Sequence, residues 1–130
     1  MTIKRIIHMV QGLIPENMIT LVIGIPNSFK SWLLAVLAIA AAKGDKLFDA
    51  FQCERFDQII YIDADSPQYL YELRLEALGL GEIPSTISQR CSTGFTVHDD
   101  KQLGALLQEI NTMVNQGQKV LVLLDSLTKI

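Results

Sequence analysis

The stretch that decides the fold is TLVIGIPNSFKSWLLAVLAIAAA, residues 20–42. Its apolar start predicts a strand over residues 20–24, and its apolar end from Trp32 onwards predicts a buried helix. The loop between them begins with Gly24 and ends with Lys30 and Ser31. This order suits a phosphate-binding loop, because backbone N–H groups and a helix N-terminus attract an anion, Lys adds a mobile charge and Ser offers a hydroxyl to Mg²⁺.

The loop departs from the phosphate-binding motif GxxxxGK[ST] at one position. Gly24, Lys30 and Ser31 match the motif, but Phe29 stands where the motif has glycine. That position can require an unusual φ, which costs phenylalanine more than glycine, and the side chain must then point away from the phosphates. The alternative interpretation is an ordinary turn between a strand and a helix, with Lys30 solvated.

Three further apolar segments predict strands over residues 59–63, 86–90 and 120–125, the second of them weaker. Apolar residues at helical spacing separate these segments, and Gly79 and Gly117 end the two helical patterns. The resulting order is strand, helix, strand, helix, strand, helix, strand. This alternation predicts an α/β fold with a mostly parallel sheet and helices on both faces.

Carboxylates end two of the predicted strands. Asp63 and Asp65 close IIYIDAD, and Asp125 closes VLVLLDS. Open α/β sheets bind ligands at the carboxyl ends of their strands, and a buried apolar strand rarely ends on an acid that has no partner. The alternative is that each acid only caps the turn that follows it.

Composition narrows the class of protein. The 130 residues are 49% hydrophobic and 19% charged, which is enough material for one core. The 11 basic and 14 acidic side chains form no run of like charge, so there is no basic footprint for nucleic acid.

Cys53 and Cys91 lack metal-ligand spacing and predict buried free thiols in a reducing compartment. The longest apolar run, residues 32–42, is too short to span a bilayer and no export signal is visible, so we expect a cytoplasmic protein without a membrane partner.

Four segments together resemble a known family: GLIPENMITLVIG, GIPNSFKS, IIYIDADSPQYLYELRLEALGL and KVLVLLDSLTKI. They resemble the RecA-like P-loop ATPases, and especially the bacterial, plasmid and phage branch around the RepA-type replicative helicases. The resemblance covers nearly the whole chain. The segment SFKS, with phenylalanine before the lysine, also resembles a variant of the phosphate-binding loop that recurs in this branch.

The resemblance implies an ATP site with Mg²⁺ as cofactor. Lys30 would contact the β- and γ-phosphates, Ser31 would ligate Mg²⁺, and Asp125 would hold Mg²⁺ through water. Asp65 falls where the family has a catalytic glutamate that polarises the attacking water, although its side chain is one methylene shorter. Lys30 and Asp65 are therefore the catalytic candidates. The residues expected to surround the phosphates are Gly24, Ile25, Pro26, Asn27, Ser28, Phe29, Lys30 and Ser31.

The resemblance also sets the expected extent of the domain. We expect residues 1–130 to form a single RecA-like nucleotide-binding domain, truncated after Asp125, because complete relatives continue with further strands. In the family one of these, a sensor strand, lies between the phosphate-loop strand and the strand that ends at Asp125. The sequence contains no polar sensor residue, arginine finger or nucleic-acid-binding loop that we can identify.

The expected function is Mg²⁺-dependent hydrolysis of ATP to ADP and phosphate, and the resemblance implies a DNA replication or helicase system. Two alternatives stay open: a nucleotide-binding or oligomer-interaction module without turnover, and a non-functional remnant of the fold. The expected partners are ATP and further copies of the chain in a homo-oligomer. DNA is implied by the resemblance alone.

Overall fold

Strands and helices alternate along most of the chain. The computed structural model describes residues 7–23, 29–63, 67–79, 83–91 and 94–125. In chain order, its elements are β1 (His8–Val10), β2 (Ile14–Pro15), α1 (Lys30–Lys43), β3 (Gln58–Asp63), α2 (Gln68–Ala77), β4 (Ile87–Cys91), α3 (Asp100–Asn115) and β5 (Val120–Asp125). From α1 onwards this order is the predicted one.

β3, β4 and β5 form a parallel sheet in the order β4-β3-β5. The central strand β3 is the most deeply buried, and Ile59 to Asp63 are each no more than 1% exposed. Its register places Asp63 beside Asp125 of β5 and beside Cys91 of β4. Because the strands are parallel, these side chains all lie at the carboxyl edge of the sheet, where α/β folds bind ligands.

Helices cover both faces of the sheet, as the continuously apolar strands predict. Ile59 and Tyr61 belong to a cluster that includes α1 and α2, whereas Ile60 and Ile62 pack with Leu106 of α3. Alternate residues of a strand point to opposite faces, which explains this division. The result is a small α/β sheet that is compatible with a RecA-like P-loop core.

α1 contains the longest apolar run of the sequence and lies against the sheet. Its buried residues are mostly small: Ala35, Leu37, Ala38, Ala40 and Ala41. Short side chains let the helix approach the strands closely, so its N-terminus is held near the carboxyl ends of β3 and β5. Among the described residues, no helix is both long and apolar enough to cross a membrane.

The predicted strand over residues 20–24 is wrong in the part that the structure describes. Residues 20–23 form no strand, Ile19 and Ile23 are 99% and 83% exposed, and Gly24 lies outside the described residues. A strand needs a neighbour for its backbone hydrogen bonds, and β5 pairs with β3 alone within the described part of the chain. The sensor strand that the resemblance places beside β5 is not among the described strands, and residues 20–23 do not pair with β5 directly.

Other expectations differ in detail. The weak strand predicted over residues 86–90 is β4, shifted by one residue. An antiparallel hairpin of β1 and β2, with Gly12 at φ 79° in its turn, was not predicted from the sequence. Its short strands lack the length on which an alternating pattern depends. The hairpin is joined to the rest of the fold by a bridge from Val10 to Cys53 and by an ion pair of Glu16, which follows β2, with Lys119.

Both cysteines are free thiols, as their spacing predicts. Cys53 is buried, but Cys91 is only partly buried because it lies on β4, at one side of the sheet. Burial is the main cause that raises the pKa of each thiol. Both therefore stay protonated at neutral pH, which makes them poor nucleophiles.

Candidate functional site

The N-terminus of α1 supplies the first part of the candidate site. Phe29 occupies the N-cap position in the left-handed conformation, with φ 62° and ψ 23°, and its side chain makes no capping hydrogen bond. The first turn carries no acidic residue, and its first two residues are Lys30 and Ser31. The positive end of the helix dipole is therefore reinforced by a lysine and left without an acid in its own turn.

The conformation of Phe29 matches the requirement inferred from the motif. The backbone adopts the positive φ that glycine would adopt more easily, and the side chain is 73% exposed. Phenylalanine is thus accommodated at the glycine position at a conformational cost.

Ser31 and Asp125, the two residues expected at the metal, are close to each other in space. The Ser31 hydroxyl donates a hydrogen bond of 2.6 Å to Asp125 Oδ2, across 94 residues of sequence. Asp125 is the last residue of β5 and is only 8% exposed. The packing of α1 on the sheet thus brings the hydroxyl of the loop to the acid at the end of the strand.

Tyr61 is a second donor to the same carboxylate. Its hydroxyl lies 3.4 Å from Asp125 Oδ2, and the whole residue is buried. Its ring lies against that of Tyr71 on α2, with 4.4 Å between the centroids. Burial first, and then the charge of Asp125, raise the pKa of Tyr61, so its hydroxyl stays protonated and available as a donor.

Asp63 lies beside Asp125 but has a different environment. It is fully buried, and its Oδ2 lies 3.8 Å from Nη1 of Arg74, which is itself only 17% exposed. Arg74 belongs to α2 and reaches over the end of β3. The negative charge of Asp63 is therefore offset by a protein cation, whereas the described partners of Asp125 are two neutral hydroxyl groups.

Several of the expected site residues lie outside the described part of the chain. These are the catalytic candidate Asp65 and the loop residues Gly24, Ile25, Pro26, Asn27 and Ser28. Their contacts stay predictions. The described site consists of the beginning of α1 and the ends of β3 and β5.

Tyr61 and Arg74 were missed by the sequence interpretation, although each left a signal. Tyr61 precedes Asp63 by two residues and so points to the same face of β3, and a buried tyrosine hydroxyl needs a partner. Arg74 stands three residues after the buried Tyr71 on α2, so it lies on the face that packs on the sheet. An arginine on a packed face indicates a buried acid.

The comparison with protein families agrees with this arrangement. A family model described as an AAA domain matches residues 2–130, nearly the whole chain. The chain belongs to this AAA-domain family. No curated protein and no solved structure matches the chain significantly.

The AAA-domain family is of P-loop ATPase type, which indicates a nucleotide-binding ATPase-type function. In this AAA domain, the described features that fit such a function are the start of α1 and the acid that it contacts. The membership agrees with the resemblance at the level of P-loop ATPases.

Proposed function

We propose that this AAA domain binds ATP together with Mg²⁺ at the carboxyl edge of its sheet and hydrolyses ATP to ADP and phosphate. The observation that carries the proposal is the 2.6 Å hydrogen bond from Ser31 Oγ to Asp125 Oδ2. A serine that offers its oxygen to a metal must direct its proton elsewhere, and an adjacent carboxylate is a strong acceptor. The pair fits Mg²⁺, which in proteins is held by one or two side chains together with waters and substrate phosphates.

The start of α1 supports the phosphate half of the proposal. Lys30 is the first residue of a 14-residue helix whose first turn has no acid, so this end of the helix attracts an anion. We assign Lys30 to the β- and γ-phosphates. By resemblance, we also assign the backbone of residues 24–28 to the phosphates, with the Phe29 side chain turned outward.

The proposed reaction is attack of water on the γ-phosphorus, with ADP as the leaving group. Asp65 would polarise the water, an assignment that rests on the resemblance alone. Bound Mg²⁺ would neutralise charge on the phosphates, and the protein's own contribution is to position ATP by Lys30 and the helix. Because Asp65 is short for this role, we expect turnover well below the ~1–100 s⁻¹ range that is typical of kinases.

A titration tests nucleotide binding. A fluorescent ATP analogue with Mg²⁺ is expected to bind with micromolar to millimolar affinity, roughly 4–8 kcal/mol. Lys30→Ala should lose most of this affinity, whereas Lys43→Ala is the matched control because it removes a lysine from the last turn of the same helix. Ser31→Ala should reduce the additional affinity that Mg²⁺ confers. Equal binding by the parent and Lys30→Ala would show that the phosphate site is elsewhere.

Release of phosphate tests turnover separately from binding. If Asp65 polarises the water, Asp65→Glu should at least match the parent and Asp65→Asn should be slower than both. Three equal rates would contradict the role of Asp65. A parent that binds Mg²⁺ and ATP without releasing phosphate would favour the alternative function, a nucleotide-binding module without turnover. Asp65 favours this alternative, because its side chain is one methylene shorter than that of the glutamate that the family has at this position.

We also propose that the chain forms homo-oligomers. Contiguous exposed apolar residues mark interaction surfaces, and such residues lie together before the loop: Met18, Ile19, Leu21, Val22 and Ile23. Size exclusion with light scattering should show dimers or larger species, and Ile19→Lys with Ile23→Lys should shift them towards the monomer. Leu107→Lys, at an exposed leucine of α3, is the matched control. A parent that is monomeric at all concentrations would contradict self-association.

The finer assignments rest on the resemblance. We propose membership of the RepA-type branch and a role in a DNA replication or helicase system on that ground, with DNA as a partner. The two free thiols support a reducing compartment such as the cytoplasm. Binding of single-stranded DNA that weakens steeply with salt would support the DNA assignment, and no binding at low salt would remove it.

A further inference from the structure

The Asp125 carboxylate is held from two directions. Ser31 Oγ on α1 and the Tyr61 hydroxyl on β3 both donate to the same oxygen, Oδ2, at 2.6 Å and 3.4 Å. These donors differ in burial. Ser31 lies at the start of a helix and is partly exposed, whereas Tyr61 is fully buried on the central strand.

The hydroxyl of Tyr61 needs an explanation beyond packing. Its ring is enclosed against the ring of Tyr71, and a phenylalanine would occupy the same place without a polar atom. Burial of a hydroxyl without a hydrogen bond is unfavourable, and the partner of Tyr61 in the described part of the chain is Asp125.

The kind of partner matters for a metal site. Asp63, one strand away from Asp125 on the α1 side of the sheet, is paired with Arg74, so a protein cation already offsets its charge. A neutral donor such as tyrosine orients a carboxylate while its negative charge remains available to a bound cation. The contrast between the two neighbouring acids therefore indicates that Asp125, rather than Asp63, binds the cation.

We propose that Tyr61 is a positioning residue of the Mg²⁺ site, whose hydroxyl fixes the orientation of the Asp125 carboxylate from the buried central strand of the sheet. This rests on the proposed function, because it assigns Tyr61 to the same site. Ser31 can offer its oxygen to a metal while it donates its proton to Asp125, and Tyr61 on β3 is a second donor that holds the same carboxylate. Tyr61 acts through Asp125 and is given no contact with the substrate.

Tyr61→Phe tests the role, and Tyr71→Phe is the matched control. Both variants remove a buried hydroxyl from the same pair of rings, but the Tyr71 hydroxyl has no hydrogen-bond partner within the described residues. The quantity to measure is the affinity for a fluorescent ATP analogue with Mg²⁺ divided by the affinity with EDTA. Tyr61→Phe should lower this ratio by roughly three- to tenfold, the effect of one lost hydrogen bond. Tyr71→Phe should leave the ratio unchanged.

The affinity measured with EDTA separates positioning from packing. Tyr61→Phe should leave this affinity close to that of the parent, because Tyr61 acts on the metal ligand Asp125 and not on the nucleotide. The proposal is overturned if Tyr61→Phe leaves the ratio of the parent intact, if both tyrosine variants lower it equally, or if Tyr61→Phe lowers the affinities with Mg²⁺ and with EDTA by the same factor. None of these results contradicts the binding of nucleotide by the parent protein. A parent that shows no binding with Mg²⁺ refutes the proposed function itself and the inference with it.

Discussion

Replacement of Phe29 by glycine should stabilise the fold. Phe29 has φ 62° and ψ 23° at the N-cap of α1, a conformation that costs a residue with a Cβ about 1–2 kcal/mol. Glycine also has more conformational freedom in the unfolded chain, and the loss of this freedom on folding offsets about 0.4–1 kcal/mol of the strain that the substitution relieves. The ring is 73% exposed, so its removal sacrifices little buried apolar area. The free energy of unfolding should therefore rise by about 0.5–1 kcal/mol.

Urea denaturation followed by circular dichroism measures this change. With a slope of about 2 kcal/mol per M, the midpoint should shift upward by about 0.3–0.5 M. Phe29→Ala is the control, because alanine keeps the Cβ that makes a positive φ unfavourable and so should gain nothing. If the glycine variant is no more stable than the alanine variant, the left-handed conformation of Phe29 is not a source of strain and the reasoning is refuted.

Three further predictions concern other parts of the fold. Asp99→Ala should lower the free energy of unfolding by about 1 kcal/mol, because the Asp99 side chain caps α3; an unchanged urea midpoint would contradict the cap. Arg90 lowers the pKa of Glu109, so the stability that Glu109 contributes is present above its ordinary pKa of 4.5 and is lost as the pH falls through the lowered value. Glu109→Gln should therefore cost less than ~1 kcal/mol at pH 7 and nothing in strong acid, and a larger cost in acid would contradict the pair. Iodoacetamide at neutral pH should modify the partly buried Cys91 before the buried Cys53, and equal rates would contradict the difference in their burial.

The strands that end in acids could be predicted because their signal is local. Residues 59–63 and 120–125 are apolar runs of strand length, and both lie in the observed sheet. The strand expected over residues 20–24 has an equally apolar sequence, yet residues 20–23 are not paired in the structure. An apolar run indicates which residues favour a strand. Whether the strand forms also depends on a neighbouring strand with which it can pair, and the run itself carries no information about that neighbour.

The contacts within the site depend on register and on helix packing. The sequence indicated that Ser31 and Asp125 serve one site, but their distance follows from how the small residues of α1 fit the sheet. Tyr61 and Arg74 could not be assigned partners from the sequence, because only the pairing of β3 with β5 and the position of α2 determine which acid each one meets. Polar residues in apolar strands identify candidates, and tertiary packing selects their partners.

Asp63 and Asp125 lie side by side, and their partners predict opposite consequences for the same substitution. Asp63→Asn breaks a buried ion pair and leaves Arg74 without a full opposing charge, so it should cost about 1–3 kcal/mol of stability. Asp125→Asn keeps an amide oxygen that can still accept from Ser31 and Tyr61, so the unliganded protein should lose less than ~1 kcal/mol. The effect on the metal should be reversed: Asp125→Asn should abolish the gain in ATP affinity from Mg²⁺, and Asp63→Asn should retain it. Urea denaturation and the ATP titration with and without Mg²⁺ measure the two quantities on the same samples. If Asp63→Asn removes the Mg²⁺ dependence while Asp125→Asn keeps it, the metal site belongs to the central strand rather than to β5.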